Sequence, residues 1–202
     1  MNIRTLQGFQ FLLIALVAST IIGWIGYLYP GEHEPIVGAL IWTGRLAFLI
    51  FLIPLFARPL RQLVRADWTA KLMRWRRNAG ICYGASQSVH LVIVCTMFVS
   101  LANPPTETIM VIIGSMGLAL SMAMLVTSFP APTKFVGPKM WKWIHKSGFY
   151  VFMFIYFYDF VLEPVLLEQP TSHLLWASLT VAGMVVRTLA MFRQAPAAKA
   201  TA

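Results

Sequence analysis

Apolar positions in this chain neither alternate nor recur with a narrow helical period; they continue in long runs. Charge-poor stretches fall at about 7–29, 36–57, 78–102, 107–129, 140–161 and 171–193, and each approaches the roughly 20 apolar residues that a helix needs to cross a bilayer. The runs predict six transmembrane helices. Between them lie Tyr29-Pro30-Gly31, Asn103-Pro104-Pro105, Pro130-Ala131-Pro132 and Gln169-Pro170, where proline and glycine favour a turn over continued helix. Only Arg58 to Arg77 reads as a long connection. The expected fold is therefore an all-α, integral membrane six-helix bundle over residues 1–194, with an Ala-rich tail over 195–202 expected to be disordered.

Composition agrees with this class. Hydrophobic residues make up 58% of the chain and charged residues 11%, with a mean hydropathy of +0.71, whereas soluble chains carry about 25% charge. The net charge of +9 has no charge-rich soluble module to hold it, so nucleic-acid binding is set aside. Cys82 and Cys95 lie thirteen residues apart in one apolar run, about 20 Å along a helix, and cannot pair with each other. The first run is uncharged from Thr5 to Gly31 and has no clear small-residue cleavage site, so it reads as a retained helix rather than a signal peptide.

Charge gives the runs a direction. One set of alternate loops holds Arg4, then Arg58, Arg61, Arg65, Lys71, Arg74, Arg76 and Arg77, then Lys134, Lys139 and Lys142, and finally Arg193 and Lys199, which is thirteen of the 16 Lys and Arg. The opposite loops carry Glu32, Glu34, Glu107, Glu163 and Glu168 with no Lys or Arg. By the positive-inside rule both termini face the cytoplasm. The seven cations from Arg58 to Arg77, against Asp67 alone, allow two readings. The positive-inside rule and anionic headgroups account for such a cluster; equally, Arg74, Arg76 and Arg77 would steer an acidic flavoprotein or hold a flavin phosphate.

Few residues remain that carry chemistry inside the spans. His33 and His173 lie near water and read as ordinary. His90 falls thirteen residues past Arg77, roughly 20 Å into a 30 Å apolar core. An imidazole there is either a functional ligand or a neutral group hydrogen-bonded across helices. His145, in Trp141-Lys142-Trp143-Ile144-His145, is either an interfacial residue beside an aromatic belt or a haem iron ligand facing another helix of the bundle. Arg45 lies about ten residues into the second span, too deep to snorkel, and calls for an anion such as a haem propionate or Asp159, or for backbone carbonyls. Arg187 is close enough to the cytoplasmic end to snorkel and needs no special role. Gly80, Gly84 and Ser88 form a small-residue stripe for close helix packing.

In this order, on these spans, the motifs resemble the ferric reductase-like transmembrane domain superfamily, most closely the haem-binding membrane subunits of bacterial methionine sulfoxide reductase systems. The carriers are Thr43-Gly44-Arg45, Arg76-Arg77-x-x-Gly80, His90, Val126-Thr127-Ser128, and the run from Trp141 through His145 to Tyr150, so the likeness covers roughly residues 36–165. It implies a multi-pass protein of the bacterial inner membrane that holds haem b between the third and fifth helices. Its iron ligands would be His90 and His145, with Arg45 toward the cofactor. It further implies electron transfer across the membrane within an oxidoreductase system. No Gly-rich dinucleotide fingerprint or flavin domain is present in the chain. Electrons would then arrive from a separate cytoplasmic reductase carrying FMN, or from a quinol, and leave to a periplasmic acceptor.

The chain departs from that pattern at one place. The related haem subunits have a second histidine thirteen residues after the position of His145, where this chain has Tyr158 followed by Asp159. Three arrangements follow: His90 and His145 share one haem after all, Tyr158 supplies a tyrosinate ligand against the cost of burying its charge, or the haem site is lost and the fold serves as a non-redox scaffold. A transporter fits poorly, because no matched pair of broken helices is visible.

Overall fold

A computed structural model describes residues 3–102, 108–166 and 173–194, and it is helical throughout those residues apart from short turns. The helices are α1 (Ile3–Leu28), α2 (Pro35–Leu63), α3 (Asp67–Ser100), α4 (Thr108–Val126), α5 (Pro130–Phe157), α6 (Glu163–Leu166) and α7 (Leu174–Gln194), with a π-helical turn over Tyr158–Leu162 joining α5 to α6. The expected turns at Asn103-Pro104-Pro105 and Gln169-Pro170, and the tail 195–202, lie outside the described residues.

Thr5–Leu28, Pro35–Leu63, Asp67–Ser100 and Leu174–Arg193 are each long and apolar enough to cross a membrane. Val111–Val126 and Pro130–Leu162 qualify only as a pair, bent by 116° at the break between them, so membrane-length helices among the described residues number four or five. α5 begins well before its apolar run, with Pro130 in its first turn, and is kinked at Gly137, which has φ +75° just ahead of Pro138. A positive φ suits glycine, and proline cannot donate the helical hydrogen bond, so the chain bends there.

The segment from Arg58 to Arg77 is not an extended connection. α2 continues through Arg61 to Leu63 and α3 starts at Asp67, leaving 64–66 as the link. Leu, Arg, Lys, Met and Gln are good helix formers whatever their polarity; their charge ends membrane burial without ending the helix. The buried Thr69 hydroxyl fastens this turn, lying 2.9 Å from the Val64 carbonyl and 2.7 Å from that of Ala66. At the other end α1 and α2 meet backbone to backbone. A Cβ on Gly26 would come 2.7 Å from the Gly38 carbonyl oxygen, and one on Gly38 would come 2.5 Å from that of Gly26.

α1, α2 and α3 pack mutually; α4 lies on α3 and α5, and α7 lies on α2 and α5. At the centre sits an aromatic core of Phe48, Phe51 and Leu55 from α2, Tyr83 from α3, Phe149, Phe152 and Tyr156 from α5, and Phe160 from the π-turn. Outward faces of α1 and α7 expose Leu13, Ile14, Val17, Leu189 and Phe192, as lipid-facing helices do.

Candidate functional site

The α3 face that carries Tyr83 and Gln87 continues one turn on to His90, since positions three and seven apart share a side of a helix. There the imidazole meets α2. His90 Nδ1 lies 2.9 Å from Thr43 Oγ1. Thr43 is fully buried, and its hydroxyl also lies 2.8 Å from the Ala39 carbonyl and 3.1 Å from that of Leu40. A hydroxyl has one proton, and carbonyls only accept. With that proton committed to the helix backbone, Thr43 accepts from His90 Nδ1–H, and the lone pair of Nε2 is left available. Gly44 lies beside the imidazole: a Cβ there would stand in ordinary contact, 3.7 Å from His90 Cε1.

His145 repeats the arrangement with the nitrogens exchanged. Its Nε2 lies 3.1 Å from Thr127 Oγ1, and Thr127, buried at the end of α4, donates to the Ala123 carbonyl at 2.6 Å. His145 Nε2–H therefore donates to Thr127, and Nδ1 keeps its lone pair. Trp141 stacks on the imidazole at 4.3 Å between ring centroids and donates its indole N–H to the Thr127 carbonyl at 3.0 Å. Each histidine thus has one nitrogen held by a buried threonine, which fixes the tautomer and orients the ring as outer partners of ligating histidines do.

The histidines stand at different levels of the bundle. Arg77 donates from Nε and Nη2 to the Ser128 carbonyl, both at 3.3 Å, which ties its level on α3 to the α4 end that holds His145. His90 lies thirteen residues further along α3, about 20 Å. The aromatic core fills the interval. Within it, Gln87 Nε2 donates to the Tyr83 hydroxyl at 3.0 Å and lies 3.4 Å from the Tyr156 hydroxyl, and the two phenols are 3.3 Å apart. Sharing of one iron by His90 and His145, the first of the three expected arrangements, is not what the structure brings together.

The other expected residues fall in distinct places. Arg45 lies over the Trp176 ring, 5.5 Å from its centroid, a cation–π contact, while Asp159, one of the anions offered for it, has Glu163 as its charged neighbour. Tyr158 opens the π-turn. Arg74 and Arg76 are exposed on α3, whereas Arg77 is half-buried and engaged with Ser128. Arg187 does more than snorkel: its guanidinium stacks over Phe149 at 4.4 Å and Tyr150 at 5.1 Å, and donates to the Tyr150 hydroxyl at 3.3 Å. Among the described residues no three His, Cys, Asp or Glu side chains converge as ligands for a bare metal ion.

Two features of the site escape sequence reading. The roles of Thr43 and Thr127 are not visible in the chain, although both stand in motifs that carry the family likeness. The Tyr83–Gln87–Tyr156 group spans α3 and α5, and the one signal for it in the chain is a glutamine in an apolar run, which falls outside the residues singled out above. Comparison of the chain with known families, with characterised proteins and with solved structures returns no match.

Proposed function

We propose that this protein is an electron carrier of the bacterial inner membrane, with six spans and both termini cytoplasmic, that binds b-type haem through His90 at an outer level and through His145 at an inner one. The observation that carries the reading is the bond from His90 Nδ1 to Thr43 Oγ1 at 2.9 Å. It presents a neutral imidazole with a free Nε2 deep in an apolar bundle, where an ionisable side chain without a role is disfavoured. The second histidine has the same threonine support, so each level offers one imidazole nitrogen for axial ligation.

Haem, when bound, supplies a one-electron couple. This chain's own residues do the rest. Thr43 and Thr127 hold the ring tautomers. Phe48, Phe51, Phe149, Phe152 and Tyr156 keep the space between the levels dry, and that low dielectric tunes any redox centre beside it. Arg74 and Arg76, exposed at the cytoplasmic end of α3, face the side from which a flavoprotein or quinol would deliver electrons to the inner level, and a periplasmic acceptor would take them from the outer one. A second reading, the non-redox scaffold, is favoured by the dense aromatic core at the centre of the bundle.

An absorption spectrum of detergent-purified protein from haem-replete cells, oxidised and dithionite-reduced, with a pyridine haemochrome count, separates the two. Reducible haem that His90→Ala diminishes supports the carrier. A colourless wild-type protein establishes the scaffold.

A further inference from the structure

At the cytoplasmic mouth of the bundle, cations from four helices converge. Arg76 of α3 lies within electrostatic reach of Arg58 of α2 and Arg187 of α7. Tyr150 of α5 lies within reach of Arg187, Lys146 and Arg58, and His145 within reach of Arg76. Among the described acidic residues, Asp67 alone belongs to this half, and it precedes Arg76 by nine residues, about 13 Å of helix. Like charges at the edge of an apolar core repel strongly where water is scarce. Among the described residues, no carboxylate forms an ion pair with these cations.

Arg187 shows where an anion would bind. Its guanidinium is clamped on Phe149 and Tyr150, and one Nη2 hydrogen bond goes to the Tyr150 hydroxyl. Its Nε is buried without a hydrogen-bond partner. Arg58, Arg76, Lys146 and Tyr150 are exposed around it, so the site opens to the surroundings rather than into the core. The opening adjoins an exposed apolar face. Tyr150 is 39% exposed, and Phe154, one turn deeper on the same face of α5, is 49% exposed; together they make an apolar track leading from the cations toward the bilayer centre.

We infer that the seam between α5 and α7 binds one anionic phospholipid, its phosphate held by Arg187, Arg58 and Lys146 and its acyl chain lying along Tyr150 and Phe154. A charged phosphate meets guanidinium donors with strong, short hydrogen bonds, and basic pockets between helices at the cytoplasmic leaflet suit such headgroups. The inference does not depend on haem.

Native mass spectrometry of the full chain, released from detergent after incubation with phosphatidylglycerol or with phosphatidylcholine, tests it. The wild-type protein is expected to retain one phosphatidylglycerol and to discriminate against phosphatidylcholine. Arg187→Gln and Arg58→Gln should each reduce retention about tenfold, the worth of one charge-assisted hydrogen bond. Arg65→Gln, which removes a charge from the same side of the membrane, should retain the lipid. Because Arg187 packs on two rings and its loss endangers folding, the exposed Arg58 provides the independent test. Equal retention by Arg58→Gln and Arg65→Gln overturns the proposal, as does displacement of the lipid by inorganic phosphate at millimolar concentration. Loss of haem absorbance in Arg58→Gln with lipid retention intact also overturns it, since the cations would then serve the pigment.

Discussion

Thr43 and His90 face each other across the α2–α3 seam, with Oγ1 and Nδ1 2.9 Å apart and the hydroxyl proton directed to its own helix backbone. A hydroxyl placed in this way accepts from the imidazole and leaves Nε2 as the ring's free acceptor. Thr43→Val keeps the volume and removes the acceptor. In haem titrations of detergent-purified protein, affinity at the outer level should fall about 10- to 100-fold, the usual cost of losing an outer-shell partner of a ligating histidine. Thr43→Ser should restore it. An unchanged affinity in Thr43→Val would show that the bond only packs the helices.

His90 and His145 stand about 20 Å apart in level, and the aromatic core fills the interval. His90→Ala and His145→Ala should therefore remove separate, additive parts of the reducible haem absorbance, and the double variant should be colourless. If either single variant removed all of it, both histidines would serve one iron and the separation of levels would be wrong.

Gly26 and Gly38 bring the backbones of α1 and α2 into contact, because a Cβ on either would meet the other's carbonyl oxygen at 2.7 Å or less. Backbone yields less readily than a side chain. Gly38→Ala should cost about 1–3 kcal/mol, the usual penalty of overpacking, read as a lower midpoint of thermal unfolding in detergent. Gly80→Ala, where nothing lies within 4 Å of an added Cβ, should shift it little.

Tyr83, Gln87 and Tyr156 form a buried polar triangle with edges of 3.0, 3.4 and 3.3 Å. Interhelical hydrogen bonds in membrane proteins average about 0.6 kcal/mol and reach about 1.7. A double-mutant cycle of Tyr83→Phe and Tyr156→Phe should give a coupling within that range. A coupling indistinguishable from zero would mean that the phenols are held by ring packing alone.

Much of the helical framework is legible in the sequence, because long uncharged runs have few alternatives in a bilayer. The stretch between Arg58 and Arg77 misleads, since charge marks the end of lipid and not the end of helix. The bend at Gly137 is hidden for a related reason: Lys134 and Lys139 pull the start of α5 toward water, while the residues around them continue as helix. Within the spans, His90 and His145 stand out as polar residues among apolar ones. Their partners do not, since a threonine in an apolar run commonly satisfies its hydroxyl on its own backbone, as Thr96 does with Val92 at 2.8 Å. Whether such a hydroxyl also accepts from another helix depends on rotation and depth, which uniformly apolar runs leave open.

The turn at 64–66 has a practical consequence for imaging. α3 has 34 residues, about 51 Å of helix, which exceeds an apolar slab of about 30 Å by roughly 20 Å, and its start pairs with the end of α2. A membrane-embedded chain of 22.7 kDa would ordinarily vanish inside its detergent micelle in electron micrographs. Here α2 and α3 meet in a stiff helical hairpin braced by α7, Arg193 Nη1 donating to the Leu63 carbonyl at 2.6 Å. An antibody fragment raised against its tip would be joined to the membrane core by continuous helix, and so would report the orientation of every particle.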